Sequence, residues 1–249
     1  MTIKIAFDQR GTGTPLILVV GAFNTRTTGA ELAAALAADH TVITYDRRGR
    51  GDSEDSAPYA IEREIEDLAG LMERVGGSAA VLGFSSGAAL ALAAAAAGLP
   101  ITQLVLFDLP LTLAPPAVAV DHAAALDALV TAGRRGDAVE YFQRHLVGLP
   151  APVIGRLRSA PFRPALEALA HTLVYDATIV GTGQLDLAQV RAVRVPILAL
   201  AAGQAPAFMH ETAHAIAAAS EHARALVLEG AAHDLDPAVL VPPLRTFLT

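Results

Sequence analysis

An α/β architecture, with a mostly parallel, doubly wound sheet and helices on both faces, is predicted by three features of the sequence. Short continuous apolar runs alternate with Ala-rich helical segments, and such runs are what strands buried on both faces require. Hydrophobic residues make up 53% of the 249 positions but aromatics only 5%, so the apolar mass is mostly Ala, Leu and Val. Residues 111–194 carry helical patterns without a convincing strand and read as an insertion. The length fits one large domain, and a chain of this size buries roughly 75% of its unfolded surface. The expected organisation is therefore a core over residues 1–110 and 195–249, with a helical cap over residues 111–194.

The elements follow in order. Ile3 to Phe7 alternates and reads as a strand, and Arg10 to Pro15 as a turn. Leu16 to Val20 is a continuous apolar strand ending at Gly21. Gly29 to Ala38 is a short helix and Thr41 to Tyr45 a strand; Asp46 to Ser53 is a charged loop whose Asp46, Arg47, Arg48 and Asp52 are expected to make structural hydrogen bonds. Ile61, Ile65, Leu68, Leu71, Met72 and Val75 lie at helical spacing, and Gly76-Gly77 stops that helix. Ala79 to Leu82, Leu104 to Phe107, Val195 to Ala201 and Ala225 to Leu228 read as strands. Ala88 to Ala97, Ala207 to Ala219 and Pro237 to Leu248 read as helices. Three apolar stripes mark cap helices: Leu126, Leu129 and Val130; Val139, Phe142 and Leu146; Leu166, Leu169, Leu173 and Val174. Prolines such as Pro110, Pro115, Pro116, Pro150 and Pro152 punctuate that segment.

Charge and composition exclude several functions. The net charge is −7, with no Lys/Arg-rich run, which argues against a nucleic-acid surface. There is no cysteine, so disulfides, Cys-ligated zinc and a Cys nucleophile are excluded, and a cytoplasmic setting is expected. Met1 to Gly13 lacks an apolar h-region, so no secretory signal is expected. Ala79 to Leu99 is apolar enough to raise a membrane span, but the Gly-Phe-Ser-Ser-Gly interruption reads as strand-turn-helix, and no membrane partner is expected.

Gly83-Phe84-Ser85-Ser86-Gly87 fits G-x-S-x-G directly after a strand and before a helix. A tight strand-to-helix turn lifts the Ser85 hydroxyl above the sheet, and side chains two positions to either side would clash. The helix that follows offers free N–H groups and the positive end of its dipole.

With the Arg10-Gly11-Thr12-Gly13 turn, the Leu16 to Gly21 strand, the Tyr45 to Ser53 loop and the late Gly230-Ala231-Ala232-His233-Asp234 segment, this elbow resembles the α/β-hydrolase superfamily over nearly the whole chain. The resemblance implies that Ser85 is the nucleophile and His233 the general base. Independently, a Ser hydroxyl needs an imidazole to take its proton, and of the 8 His only His233 follows a late strand in a small-residue loop. The family most often places its acid after the strand preceding Ala207, where this chain has Ala201 to Pro206 and no carboxylate. Asp108, ending the Leu104 to Phe107 strand, is the best alternative, as in family members such as certain haloalkane dehalogenases; a site without an acid is the other. The oxyanion donors are expected to be the N–H groups of Ser86 and Ala22, with Phe23 in reserve. Phe23, Asn24 and Phe84 are expected to touch the substrate, and Asn24 and Arg26 to lie at the pocket mouth.

A competing pattern is His210-Glu211-Thr212-Ala213-His214, which fits H-E-x-x-H, the helical zinc-hydrolase signature. It lacks the glycine that a metzincin places where Ala217 stands, and no third ligand is apparent. No metal or cofactor is expected. The expectation is a hydrolase acting on a small or medium hydrophobic ester, thioester or lactone, because Leu111, Leu113, Leu173 and Val174 make the cap apolar. A cofactor-free lyase or cyclisation enzyme, or a non-catalytic ligand-binding protein, is the alternative on the same fold. Oligomeric state is not legible.

Overall fold

The computed structural model describes residues 3–114, 118 and 120–248. Seven strands form one sheet: β1 (Phe7–Arg10), β2 (Thr14–Val19), β3 (His40–Tyr45), β4 (Ala79–Phe84), β5 (Ile101–Phe107), β6 (Ile197–Ala202) and β7 (Ala223–Leu228). Their order across the sheet is β1-β3-β2-β4-β5-β6-β7. Only β1 is antiparallel to its neighbour. The apolar runs explain this topology. Every residue of β4 and β6 is buried, so both faces of these strands need covering, and parallel crossovers put helices on both.

The helices sort by face. α1 (Ala30–Leu36) and the C-terminal helix pack on one side, Leu32 and Leu36 meeting Leu240, Leu244 and Phe247. On the other side lie α2 (Ile61–Arg74) and α3 (Ser86–Ala96). α2 turns Leu68, Leu71 and Met72 inward and Glu62 and Glu66 outward, as its periodicity demands. α3 is different, being buried nearly all round; its Ala residues let the sheet and the cap both approach its backbone closely.

Between β5 and β6 the described residues form six α-helices: α4 (His122–Thr131), α5 (Arg135–His145), α6 (Ala151–Leu157), α7 (Arg163–Ala168), α8 (Leu173–Val180) and α9 (Leu187–Ala192). Leu126, Val139, Phe142 and Leu173 form a core among these helices, on which Ala22 and Phe23 also pack. After β6 come α10 (Ala207–Ala219) and α11 (Pro237–Phe247). Pro152, Pro164 and Pro237 each sit in the first turn of a helix, where a missing N–H costs nothing. Pro115 and Pro116 lie outside the described residues.

Two elements depart from expectation. The first strand is Phe7–Arg10, not Ile3 to Phe7. Residues 4–6 pair instead with the charged loop: Glu54 N–H donates to Lys4 O, Asp46 N–H to Ala6 O, and Ala6 N–H to Ser53 Oγ. The third cap stripe is not one helix. It is broken between α7 and α8 by a 3-10 turn at Ala170–Thr172, where the Thr172 hydroxyl bonds back to Leu169 O and His171 Nε2 meets Gly49 O. Among the described residues, no helix is long and apolar enough to cross a membrane.

Candidate active site

Ser85 follows β4 and forms the turn into α3. Its φ of 57° lies in a region bulky L-residues rarely adopt, and that strain turns the side chain away from the sheet. Two glycines make the turn possible. A Cβ on Gly83 would stand 2.5 Å from Ala88 Cα, and one on Gly87 2.1 Å from Val19 O. Ser85 remains partly exposed, whereas Ser86 beside it is buried.

The sheet ladder fixes Ser85 and Asp108 relative to each other. Ser85 N–H donates to Phe107 O at 2.9 Å, and Asp108 N–H to Leu200 O at 2.9 Å. Both residues therefore sit on the last rungs of adjacent strands, at the carboxyl edge where open α/β sheets bind ligands. Asp108 has a φ of 51°, tolerated better by Asp than by most residues, and is fully buried. Its Oδ1 accepts the Ala202 N–H at 2.7 Å, and its Oδ2 lies 2.7 Å from His233 Nδ1. A carboxylate there holds the proton on Nδ1 and leaves Nε2 as a base. His233 comes from the loop between β7 and α11, is 45% exposed, and lies on the Phe84 ring with centroids 4.6 Å apart. Among the described residues the His233 ring makes its hydrogen bond to Asp108, and none joins Ser85 Oγ to His233 Nε2.

Phe84, expected to touch the substrate, is instead covered: it is 4% exposed and packs between Phe107 and His233, a platform for the imidazole. Arg26, expected at the pocket mouth, is drawn to Asp46 and Asp52 by its guanidinium. Ala22 does not aim its N–H at the cleft but donates it to Ser86 Oγ at 3.0 Å. Asn24 is tied into its own loop, Nδ2 donating to Ala22 O at 2.8 Å and N–H to Gly21 O at 3.3 Å. Phe23, at φ 63°, packs edge-on against Phe142 of the cap, and its N–H makes no hydrogen bond among the described residues. The same loop presses on Ser85, since a Cβ on Gly21 would lie 2.8 Å from Ser85 Cβ.

A buried ionic cluster stands behind this loop. Glu64 of α2 chelates Arg47 through Nε at 2.8 Å and a terminal nitrogen at 2.6 Å. Asp176 of α8 takes Arg47 at 2.8 Å and Arg50 at 2.6 Å, and all four side chains are buried. Burial alone would raise the Asp176 pKa, but Arg50 and Arg47 outweigh it and hold the carboxyl below its usual range. Asp176 was not singled out in the sequence. Nothing near it distinguishes it from a surface residue of an amphipathic helix, because all its partners are distant along the chain.

The H-E-x-x-H helix does not gather ligands. His210 Nε2 meets Ala202 O at 2.8 Å, and among the described residues no group of three His, Asp or Glu side chains is placed to hold a metal.

A family model described as the alpha/beta hydrolase family matches residues 16–242. The chain belongs to the alpha/beta hydrolase family. It is an enzyme of hydrolase type. The chain is similar to a solved alpha/beta hydrolase from Sphaerobacter thermophilus DSM 20745, at 46% identity with a TM-score of 0.91, covering 98% of this chain and 96% of that one. It is also similar to a thermophilic esterase from Thermogutta terrifontis, at 26% identity and a TM-score of 0.72, covering 99% and 91%. A curated relative from Mycobacterium tuberculosis that carries the name of a non-heme bromoperoxidase, BpoC, is 34% identical over 92 residues, 36% of this chain. The match spans only 35% of that relative's length.

Proposed function

We propose that this hydrolase is a serine esterase acting through an acyl-enzyme, with Ser85 as nucleophile, His233 as general base and Asp108 as the residue that orients it. The observation that carries this reading is the 2.7 Å contact between a fully buried Asp108 and His233 Nδ1, one strand away from a hydroxyl raised on a strained elbow. Ser85 Oγ attacks the carbonyl carbon while its proton passes to His233 Nε2. The tetrahedral oxyanion is held by the Ser86 N–H at the start of α3 and by the Phe23 N–H, because the Ala22 N–H is already engaged. The imidazolium returns the proton to the departing alcohol, thiol or ring oxygen. Water, deprotonated by the same Nε2, then releases the acid and restores Ser85.

The substrate is a small or medium hydrophobic ester, thioester or lactone. The part-buried Phe23 and Val174, which pack on the apolar cluster of Phe142 and Leu173, supply the surface against which such an acyl chain would lie. No metal or cofactor takes part. The net charge of −7 and the lack of cysteine fit a cytoplasmic protein acting on small molecules rather than on nucleic acid or membrane.

A panel of esters and lactones with graded acyl length tests this, run on the wild type and on Ser85→Ala. Turnover of short or medium acyl chains by the wild type, lost in Ser85→Ala, is the expected result. Hydrolysis that survives Ser85→Ala would overturn the assignment.

A further inference from the structure

Three amides follow Gly21, and the structure gives each a different fate. Ala22 N–H goes to Ser86 Oγ, Asn24 N–H goes to Gly21 O, and Phe23 N–H has no partner among the described residues. The carbonyls of the same loop are held from behind. Arg47 donates to Val20 O at 3.3 Å, and Arg50 donates to Gly21 O and, at 3.3 Å, to Asn24 O. Both guanidiniums are held by one carboxylate, Asp176, which lies on cap helix α8 and not on the main body. That carboxylate also accepts the Ser86 hydroxyl at 2.8 Å.

The Ser86 hydroxyl thus joins two parts of the fold. It accepts from Ala22 N–H and donates to Asp176 Oδ1, and it sits on the residue whose backbone N–H opens α3 beside the nucleophile. Its single proton is committed to the carboxylate, so toward Ala22 it acts as an acceptor. This geometry fixes the loop in the conformation that leaves Phe23 at positive φ, a conformation that costs a bulky residue about 1–2 kcal/mol and persists because its surroundings impose it.

We propose that Asp176, acting through the Ser86 hydroxyl and through Arg47 and Arg50, is the positioning residue of the oxyanion hole. The carboxylate on α8 draws the Ala22 N–H out of the cleft and leaves the Phe23 N–H as the second donor. The cap is on this account part of the catalytic assembly and not only a cover. α8 cannot leave the main body without exposing or unpairing the buried charges, so the cap docks on this helix as on a fixed hinge post.

This inference rests on Ser85 being the nucleophile, and its test is built to separate the two. The probe is a fluorophosphonate: attack of Ser85 Oγ on its phosphorus builds negative charge on the phosphoryl oxygen in the same hole, expels fluoride and needs no knowledge of the natural substrate. Phosphonylation rates, and kcat and KM on a chromogenic ester, are compared for wild type, Ser86→Ala and Ser86→Thr, each well below its own melting temperature. Ser86→Ala keeps the Ser86 N–H and leaves Asp176 paired with both arginines.

Misplacing a donor by about 1 Å costs about 100-fold, so Ser86→Ala is expected to lower kcat and the phosphonylation rate by about 10- to 100-fold with KM little changed. Recovery in Ser86→Thr, which restores the hydroxyl, supports the proposal further. Asp176→Asn, which discharges the cluster but keeps an acceptor for Ser86, is expected to lower the same two rates. A Ser86→Ala protein that melts earlier but is phosphonylated and turns over like wild type would overturn the inference and leave the nucleophile standing. A wild type that does not react at all would remove both.

Discussion

Asp108 makes two hydrogen bonds that an amide in its place satisfies only in part. Asparagine keeps an oxygen for Ala202 N–H, but the other arm then offers N–H to His233 Nδ1 and favours the wrong tautomer. Asp108→Asn is therefore expected to fold normally and to lose about 10³- to 10⁴-fold in kcat on an ester, measured by steady-state kinetics. An unchanged kcat would remove Asp108 from the mechanism. Asp108→Ala also strands the buried Ala202 N–H, and chemical denaturation is expected to show a further loss of about 1–3 kcal/mol. At this scale legibility was uneven. Ser85 announced itself because the elbow needs small residues at fixed offsets. Asp108 was reached through the resemblance, which offers this strand end as the other place for the acid, since Leu106-Phe107-Asp108 by itself looks like any strand end. Asp176 had no local signature: its bonds to Ser86, Arg50 and Arg47 span 90, 126 and 129 positions.

Helices α2 and α8 carry the charges that tie elements together, and each gives a prediction. Removing one partner of a buried ion cluster leaves an uncompensated charge, so Asp176→Ala is expected to cost about 3–5 kcal/mol in urea unfolding. On α2, burial is the main force raising the Asp67 pKa to about 6, against the pull of Arg48 at 2.9 Å. A carboxyl whose folded pKa lies above its unfolded value binds protons more tightly when folded. Its contribution to stability therefore grows as the pH falls from about 7 toward 4, the reverse of an ordinary ion-paired aspartate. Urea midpoints at pH 7 and pH 5 should show this gain in the wild type and its loss in Asp67→Asn; equal pH slopes in the two proteins would contradict it. Strands showed plainly in the sequence where burial on both faces enforces a continuous apolar run, as in β2, β4 and β6. β1 did not, because the alternation at Ile3 to Phe7 does not tell residues 4–6, which bond to the loop at Asp46 to Glu54, from Phe7–Arg10, which pair with β3. The break between α7 and α8 was hidden for a similar reason, since apolar spacing does not register a single 3-10 turn.

Across the whole molecule, the alternation of strands and helices implied a parallel sheet, but the strand order came only from the structure. That order matters chemically. It sets β4 beside β5 and β5 beside β6, so that Ser85, Asp108 and the Ala202 N–H meet at one edge although 117 positions separate Ser85 from Ala202 in the chain. The family membership follows from this architecture together with the match over residues 16–242, whereas how the helices between β5 and β6 pack is something no periodicity encodes. Because His210 is bonded to the Ala202 carbonyl and the catalytic groups need no ion, prolonged EDTA treatment is expected to leave ester hydrolysis unchanged; loss of activity restored by zinc would revive the H-E-x-x-H reading. The central claim is that the hydroxyl of the partly exposed Ser85 is the group that becomes covalently acylated. Peptide mapping after fluorophosphonate treatment tests it most directly: the account predicts one adduct, on the peptide containing Ser85, absent from Ser85→Ala and strongly slowed in His233→Ala. An adduct that persists in Ser85→Ala, or a wild type left unmodified, would contradict it.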